Sequence, residues 1–278
     1  MFLGLDLETW LGLTVLGAVV STIGALFGII LKDYFFTRSF ERWKQRRTLE
    51  QLYQKYRDPL LLVARELVSR MVEILDHYPT VYLTEKVLSS RPSKQVENNI
   101  EDPYFQRYKL VSTAYRVSAF LGWLELYRQE ITFLNSGNNE HAKSLELAIG
   151  YIRSDLADGQ LNKAEDWNKW RDTLVFREEL RAIGESMIEV RGTTRAIIGY
   201  GRYCEHLESE VSSTVQRWMP VVMNFFFDLQ GEGKDFRQTR IKLMVGHLVE
   251  LMQLLDNSSI DPYLLEAQRK HKLKISAP

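Results

Sequence analysis

The chain has 278 residues, enough for one large domain or two small ones. Lys plus Arg (36) equals Asp plus Glu (36), and this zero formal charge argues against a general nucleic-acid binder. A 45 % hydrophobic content excludes wholesale disorder, and one cysteine, Cys204, excludes an internal disulfide framework or an all-cysteine metal cluster within a chain.

The first element is apolar. Thr9 to Leu31 carries no charge, and as a helix rising about 1.5 Å per residue it covers roughly 34 Å, against about 30 Å of bilayer hydrocarbon. A cleaved signal peptide needs a basic start and a shorter apolar stretch, whereas this start is MFLGLDLE. The segment therefore reads as an uncleaved transmembrane helix over about 9–31. Asp6 and Glu8 precede it, while Lys32, Arg38, Arg42, Lys44, Arg46 and Arg47 follow it. The positive-inside rule puts the N-terminus outside, the rest in the cytoplasm, and these six cations at lipid headgroups. The longest later apolar run, Trp218–Phe227, is too short to span, so the chain is expected to cross once.

Gly17, Ser21, Gly24 and Gly28 are spaced four, three and four, giving one small-residue face and a GxxxG pair suited to homodimerisation. In KDYFFTRSFERWKQRR, Phe36, Phe40 and Trp43 share a helical face, with Arg38, Arg42 and Arg46 largely opposite. That pattern fits a helix lying at the inner leaflet or a basic flank continuing as one long helix. Residues 1–47 form the anchor and its basic segment, and 48–278 a nearly neutral all-helical region.

Asp58-Pro59 has the form of a helix start, an N-cap followed by proline. Leu60, Val63, Leu67, Met71 and Ile74 then recur at helical spacing, with a second row at Leu61, Val68, Val72 and Leu75. Residues 89–104 are polar with two prolines and read as a loop. Helices are predicted over Pro103–Asn135, Glu140–Leu156, Leu174–Glu189, Ser209–Asp228 and Asp235–Leu255. Trp167 and Trp170 sit in a polar connection, and Arg191–Tyr203 is open between loop, short strand and helix. The C-terminal QRKHKLK, with Arg269, Lys270, Lys272 and Lys274, reads as a solvated tail that can meet anionic surfaces. With no run of alternating strands, the fold class is all-α, a bundle-like domain behind a single transmembrane helix.

Chemical motifs are sparse. Gly231-Glu-Gly-Lys234 lacks the leading glycine, the Ser/Thr and the strand of a phosphate loop. Gly199-Tyr-Gly-Arg-Tyr-Cys204 imitates GxGxxG outside any βαβ unit. The five histidines never reach HxxxH spacing, although Glu73/His77 and His247/Glu250 are helix-neighbour pairs. His247, flanked by Val245, Leu248 and Leu251, reads as a satisfied, partly buried side chain. Cys204 and His206 point apart on a helix. No metal or cofactor is expected. The richest polar set is Phe176–Met187, where Phe176, Leu180, Ile183 and Met187 form a buried stripe and Arg177, Glu178, Arg181 and Glu185 form a polar face. That face reads as a site for a charged ligand or a partner, or as a solvated salt-bridge face. Gly184 within the helix implies that something packs closely against it.

Lys55-Tyr-Arg-Asp-Pro-Leu-Leu61, Glu66-Leu-Val-Ser-Arg70, Phe120-Leu-Gly-Trp-Leu-Glu125, and Phe176-Arg177 with Glu179 and Arg181-Ala-Ile-Gly-Glu185 carry a resemblance. Together they resemble a group of uncharacterised bacterial proteins with one N-terminal transmembrane helix and a helical cytosolic region. The resemblance implies the same architecture in a bacterial inner (plasma) membrane, with no activity attached. The leading functional expectation is an interaction or scaffold module with an unidentified protein partner. The alternatives are a membrane-anchored enzyme or ligand sensor using helix 174–189, and an oligomeric membrane effector.

Overall fold

In the computed structural model of the chain, the residues described are 7–32, 38–76, 103–131, 140–157, 173–227, 229, 235–256 and 260–271. His77, the polar stretch 89–102, Trp167, Trp170, Gly231–Lys234, Lys272 and Lys274 lie outside them. The fold is all-α with one small β-hairpin. It divides into two compact units, Met1–Leu52 and Tyr53–Pro278.

The first unit holds α1 (Leu7–Leu31) and the start of α2 (Arg38–Asp76). The stretch Trp10–Ile29 of α1 is long and apolar enough to cross a membrane, and none of it is buried against protein. The hydroxyls of Thr14 and Thr22 are turned back onto their own helix, donating to Trp10 O (3.0 Å) and Ala18 O (2.8 Å). Phe40 and Trp43 stack at 5.8 Å on α2, and the Arg47 guanidinium lies 5.3 Å from the Trp43 ring.

The sequence placed a helix start at Asp58-Pro59, but Pro59 lies inside α2. Proline there forfeits one backbone hydrogen bond and crowds the preceding turn, at a cost of about 3 kcal/mol. Burial of Tyr56, Leu60, Val63, Leu67, Val68, Met71 and Val72 offsets it.

In the second unit α3 (Pro103–Ile131) and α8 (Phe236–Leu255) carry the core. Around them pack α4 (Glu140–Leu156), α5 (Arg177–Ser186), α6 (Tyr200–Glu208), α7 (Thr214–Phe226) and α9 (Pro262–His271). Leu110, Ala114, Val117, Phe120, Leu121 and Leu124 are buried on α3, and Ile241, Met244, Val245, Leu248 and Met252 on α8. The helix predicted to reach Glu189 stops at Ser186, because β1 (Ile188–Arg191) and β2 (Thr194–Ile197) form an antiparallel hairpin. Gly192 makes the turn at φ +62°, a left-handed conformation natural to glycine. Arg191–Tyr203 is thus strand, turn, strand and helix in succession.

Helix ends follow local chemistry. α7 begins at Thr214 and not near Ser209, since Ser213 Oγ accepts from Gln216 N and Gln216 Oε1 from Ser213 N, both at 3.1 Å. Asp235 caps α8 by accepting from Arg237 N at 2.9 Å. Asp261 likewise accepts from Tyr263 N at 2.9 Å ahead of Pro262. The expected solvated tail is corrected over Gln268–His271, which is helical. Lys270 Nζ and His271 Nε2 reach Asp76 Oδ1 at 2.7 and 3.0 Å, and Gln268 donates to Gly246 O.

Two arginines from the first turns of α8 cap other helices. Arg237 Nη1 donates to the carbonyls of Asn224, Phe225 and Phe227 at the end of α7, and its fork grips the Asp235 carboxylate at 2.6–3.0 Å. Arg240 Nη1 donates to Asp155 O (2.9 Å) and Ala157 O (3.2 Å) at the end of α4. Each supplies positive charge and donors where a helix leaves its carbonyls unpaired.

Candidate functional site

Helix α5 buries three of the four residues of its predicted stripe, Leu180, Ile183 and Met187, together with Gly184, while Arg177, Glu178, Arg181 and Glu185 face solvent. Phe176, expected in that stripe, is 54 % exposed, because it precedes the helix as its N-cap in extended backbone. At the start of α5, Glu179 Oε2 accepts from Phe176 N at 2.9 Å. The close packing implied by Gly184 is present. A Cβ there would lie 2.7 Å from Leu121 O and 3.2 Å from Glu125 Cβ, so α3 crosses α5 almost backbone to backbone. Gly122 answers on the other side, with Gly184 O at 3.5 Å and Met187 Cβ at 3.0 Å from its own virtual Cβ.

Glu178, Arg181 and Glu185 form no ion pairs with one another among the described residues, so the intrahelical pairs allowed by their spacing are not made. Instead α5 meets polar residues from α3 and α4. Arg177 Nη2 reaches Ser154 Oγ at 3.3 Å. Beside the crossing lies Glu125, only 1 % exposed, which accepts from Arg128 Nε and Gln129 Nε2 at 2.8 Å each. Gln129 in turn accepts from Arg195 of β2. Burial would push the Glu125 carboxyl up. The hydrogen bonds from Arg128 and Gln129, with the charges of Arg128 and Arg153, outweigh it and hold the group below the ordinary carboxylate range.

Arg153 is the residue that completes this set. It lies in the last turn of α4, partly buried, within electrostatic reach of Glu125, Arg181, Arg128 and Arg177. Burial, then the three neighbouring guanidiniums, pull it below its ordinary value, with Glu125 opposing. Nothing in the local sequence pointed to Arg128 or Arg153. Both are last-turn cations, a position that the helix dipole favours, and only the packing of three helices brings them to α5.

The chain matches no protein-family model, no curated protein and no solved structure. The roles of its side chains therefore rest on their own geometry.

Two other polar groups stand out. His247 Nδ1 lies 2.6 Å from Oδ2 of the buried Asp155, and its ring stacks on Tyr151 at 5.1 Å. The pair joins α8 to α4. Burial pushes the His247 imidazole down, but the hydrogen bond and charge of Asp155, helped by Glu250, raise it above its ordinary value. Burial also raises the Asp155 carboxyl, against the pull of His247 and Arg240. Both shifts mean that the folded protein holds protons more tightly than the unfolded chain. The stabilisation from His247 is complete below the ordinary histidine value of about 6.5 and is lost as pH rises through the higher folded value. Denaturant titrations of the wild type and His247→Gln should therefore differ most at about pH 6 and converge towards pH 8. A gap that widened over that interval would refute this linkage.

The second group lies between α2, α3 and α6. Arg70, 3 % exposed, pairs with Glu73 at 2.9 Å and donates to Ser112 Oγ at 3.1 Å, and Lys109 also binds Glu73. Tyr200 packs against Tyr108 and Tyr115, and Tyr115 against Tyr203, whose buried hydroxyl has no hydrogen-bond partner among the described residues. Burial pushes the neighbouring Cys204 thiol up, away from a reactive thiolate. Among the described residues no cluster of three His, Cys, Asp or Glu side chains is arranged for a metal ion.

On α1, each of Gly17, Gly24 and Gly28 has open space at its Cβ position, and Ser21 is exposed. Lys32, Lys44 and Arg47 are exposed, whereas the side chains of Arg38, Arg42 and Arg46 lie outside the described set.

Proposed function

We propose that this is a single-pass protein of a bacterial inner membrane, N-terminus outside, whose helical unit works in the cytoplasm as a membrane-tethered interaction module. The observation that carries this reading is the exposure of α1. Leu13, Leu16, Val20, Ile23 and Phe27 are each more than half exposed, with no protein surface covering them. An apolar rod of this area is unfavourable in water and ordinary in lipid. The internally bonded hydroxyls of Thr14 and Thr22 support the reading, since a side chain in hydrocarbon must find its partner on its own helix or a neighbouring one. Exposed Phe40 (63 %) and Trp43 (52 %) beside Arg47 suit the headgroup layer. On the helical unit, Leu147 and Tyr151 stand one turn apart on α4, both more than half exposed, an apolar pair available to a partner.

Self-association through the Gly17, Ser21, Gly24 and Gly28 face belongs to the same reading. Full-length protein is expected to sediment with membranes and resist carbonate extraction. A tag at residue 278 should be protected from protease in intact spheroplasts, and cross-linking in those membranes should yield a dimer or a partner adduct. Recovery in the high-speed supernatant, or digestion of the tag in intact spheroplasts, would overturn the reading.

A further inference from the structure

The β-hairpin rests on the helical core through β2, whose Ile197 packs on Gly122 of α3. Ile198 N donates to Met187 O at 3.0 Å, so Met187 and Ile198 form a hydrogen-bonded pair. Such pairs alternate along an antiparallel ladder, and the register makes Glu189 and Ala196 the next one. The backbone N–H and C=O of Ile188 and Val190 therefore point to the outer edge of β1, where they meet no hydrogen-bond partner among the described residues. Val190 is also 68 % exposed, an apolar side chain left at that edge. An edge of this kind is a template for one more strand.

The sequence of β1, Ile188-Glu-Val-Arg191, selects the strand. A reversed copy of β1 laid along it can be centred on any of its four residues. Centring on Glu189 or on Arg191 sets like charges face to face, which is destabilising. Centring on Ile188 sets Val190 opposite Ser186, which is helical. Centring on Val190 sets Glu189 opposite the partner's Arg191, twice over, at the positions where cross-strand side chains come closest. It also brings the two Val190 side chains together and lets their outward N–H and C=O groups bond to each other. We propose that β1 pairs in this register with β1 of a second copy of the chain, joining two hairpins into one four-stranded sheet. Glu189 already bonds its own Arg191 at 2.7 Å and Arg202 at 2.9 Å. Pairing exchanges the first contact for its equivalent from the partner and leaves the second. The charges thus set the register, while backbone hydrogen bonds and burial of Val190 supply the attraction. An edge this short is weak alone, and the pairing rests on the membrane reading to the extent that two anchored chains meet at raised effective concentration.

The test uses the full chain in phosphatidylcholine liposomes, with Cys204, its one cysteine, replaced by serine. Val190→Cys is then oxidised with copper phenanthroline. Hydrogen-bonded strand partners hold their Cα atoms about 5.5 Å apart, within the span of a disulfide. Covalent dimer should form about tenfold faster than for Val211→Cys, which is 77 % exposed and off the strand. Adding Arg191→Glu should slow the reaction at 190 about tenfold, with Arg191→Gln between it and the parent. Arg191→Gln decides the matter if Arg191→Glu disturbs the hairpin. Cross-linking at 190 no faster than at 211, or indifferent to both Arg191 variants, overturns the proposal. A strand from a different protein on this edge gives that same negative result. A dimer held through α1 alone also leaves 190 at the rate of 211, whereas loss of the membrane reading shows in sedimentation, so the two can fail separately.

Discussion

Arg237→Ala should lower the stability of the helical unit by about 3–5 kcal/mol, a large share of the 5–15 kcal/mol that holds a domain folded. The Arg237–Asp235 pair is 8 % and 6 % exposed, so alanine strips a buried carboxylate of this cation. It also removes the donor shared by the Asn224, Phe225 and Phe227 carbonyls at the end of α7. Lysine is a poor replacement, because a point charge cannot hold a carboxylate and three carbonyls with one rigid fork. Denaturant unfolding of the two variants measures both effects. A loss below about 1 kcal/mol for alanine would mean that water reaches the site and replaces the arginine.

The Gly184 crossing carries the second large effect. A methyl group there meets backbone, Leu121 O at 2.7 Å and Leu121 C at 3.0 Å, and a helix backbone cannot step aside as a side-chain tip can. Gly184→Val should cost about 3 kcal/mol, at the upper end for overpacking, and Gly184→Ala less, since alanine's helix propensity returns about 1 kcal/mol. Gly122→Ala should be milder, because its closest obstacle is the Cδ1 tip of Ile197 at 2.8 Å. Gly150 in α4 has nothing within 4 Å, so Gly150→Ala should stabilise by up to about 1 kcal/mol. If Gly184→Val and Gly150→Ala shifted the denaturation midpoint alike, close approach of α3 and α5 would not be what glycine provides.

What the sequence disclosed and what it hid follow from the range of the forces involved. The bounds of α4 are written in neighbouring residues, and the start predicted for α8 falls on Asp235, which the structure shows to be its cap. Gly184 announced a close neighbour without naming it. The dipeptide Asp-Pro was read as a helix start at Asp58, where tertiary burial carries the helix through the proline. At Asp261 the same dipeptide does begin a helix, so local chemistry alone does not separate the two cases. The hairpin was legible in the alternation of Ile188 and Val190 with charged residues and in Gly192, yet its four-residue strands gave less signal than the helical stripe running into them. The Ser213-to-Gln216 capping box is equally local, and it starts α7 at Thr214 and not near Ser209. Of the polar set around α5, Arg177 and Arg181 were visible as a polar face, whereas Arg128 and Arg153 enter only through packing across tens of residues, which no local pattern encodes.

Arg237 and Arg240 stand within one turn of each other at the head of α8, yet the carbonyls they satisfy belong to α7 and α4. Fraying of that single turn would release the ends of two further helices in the same event. Amide protons there have no cheap partial opening through which to exchange: the three helix ends come apart as one cooperative block or stay shut.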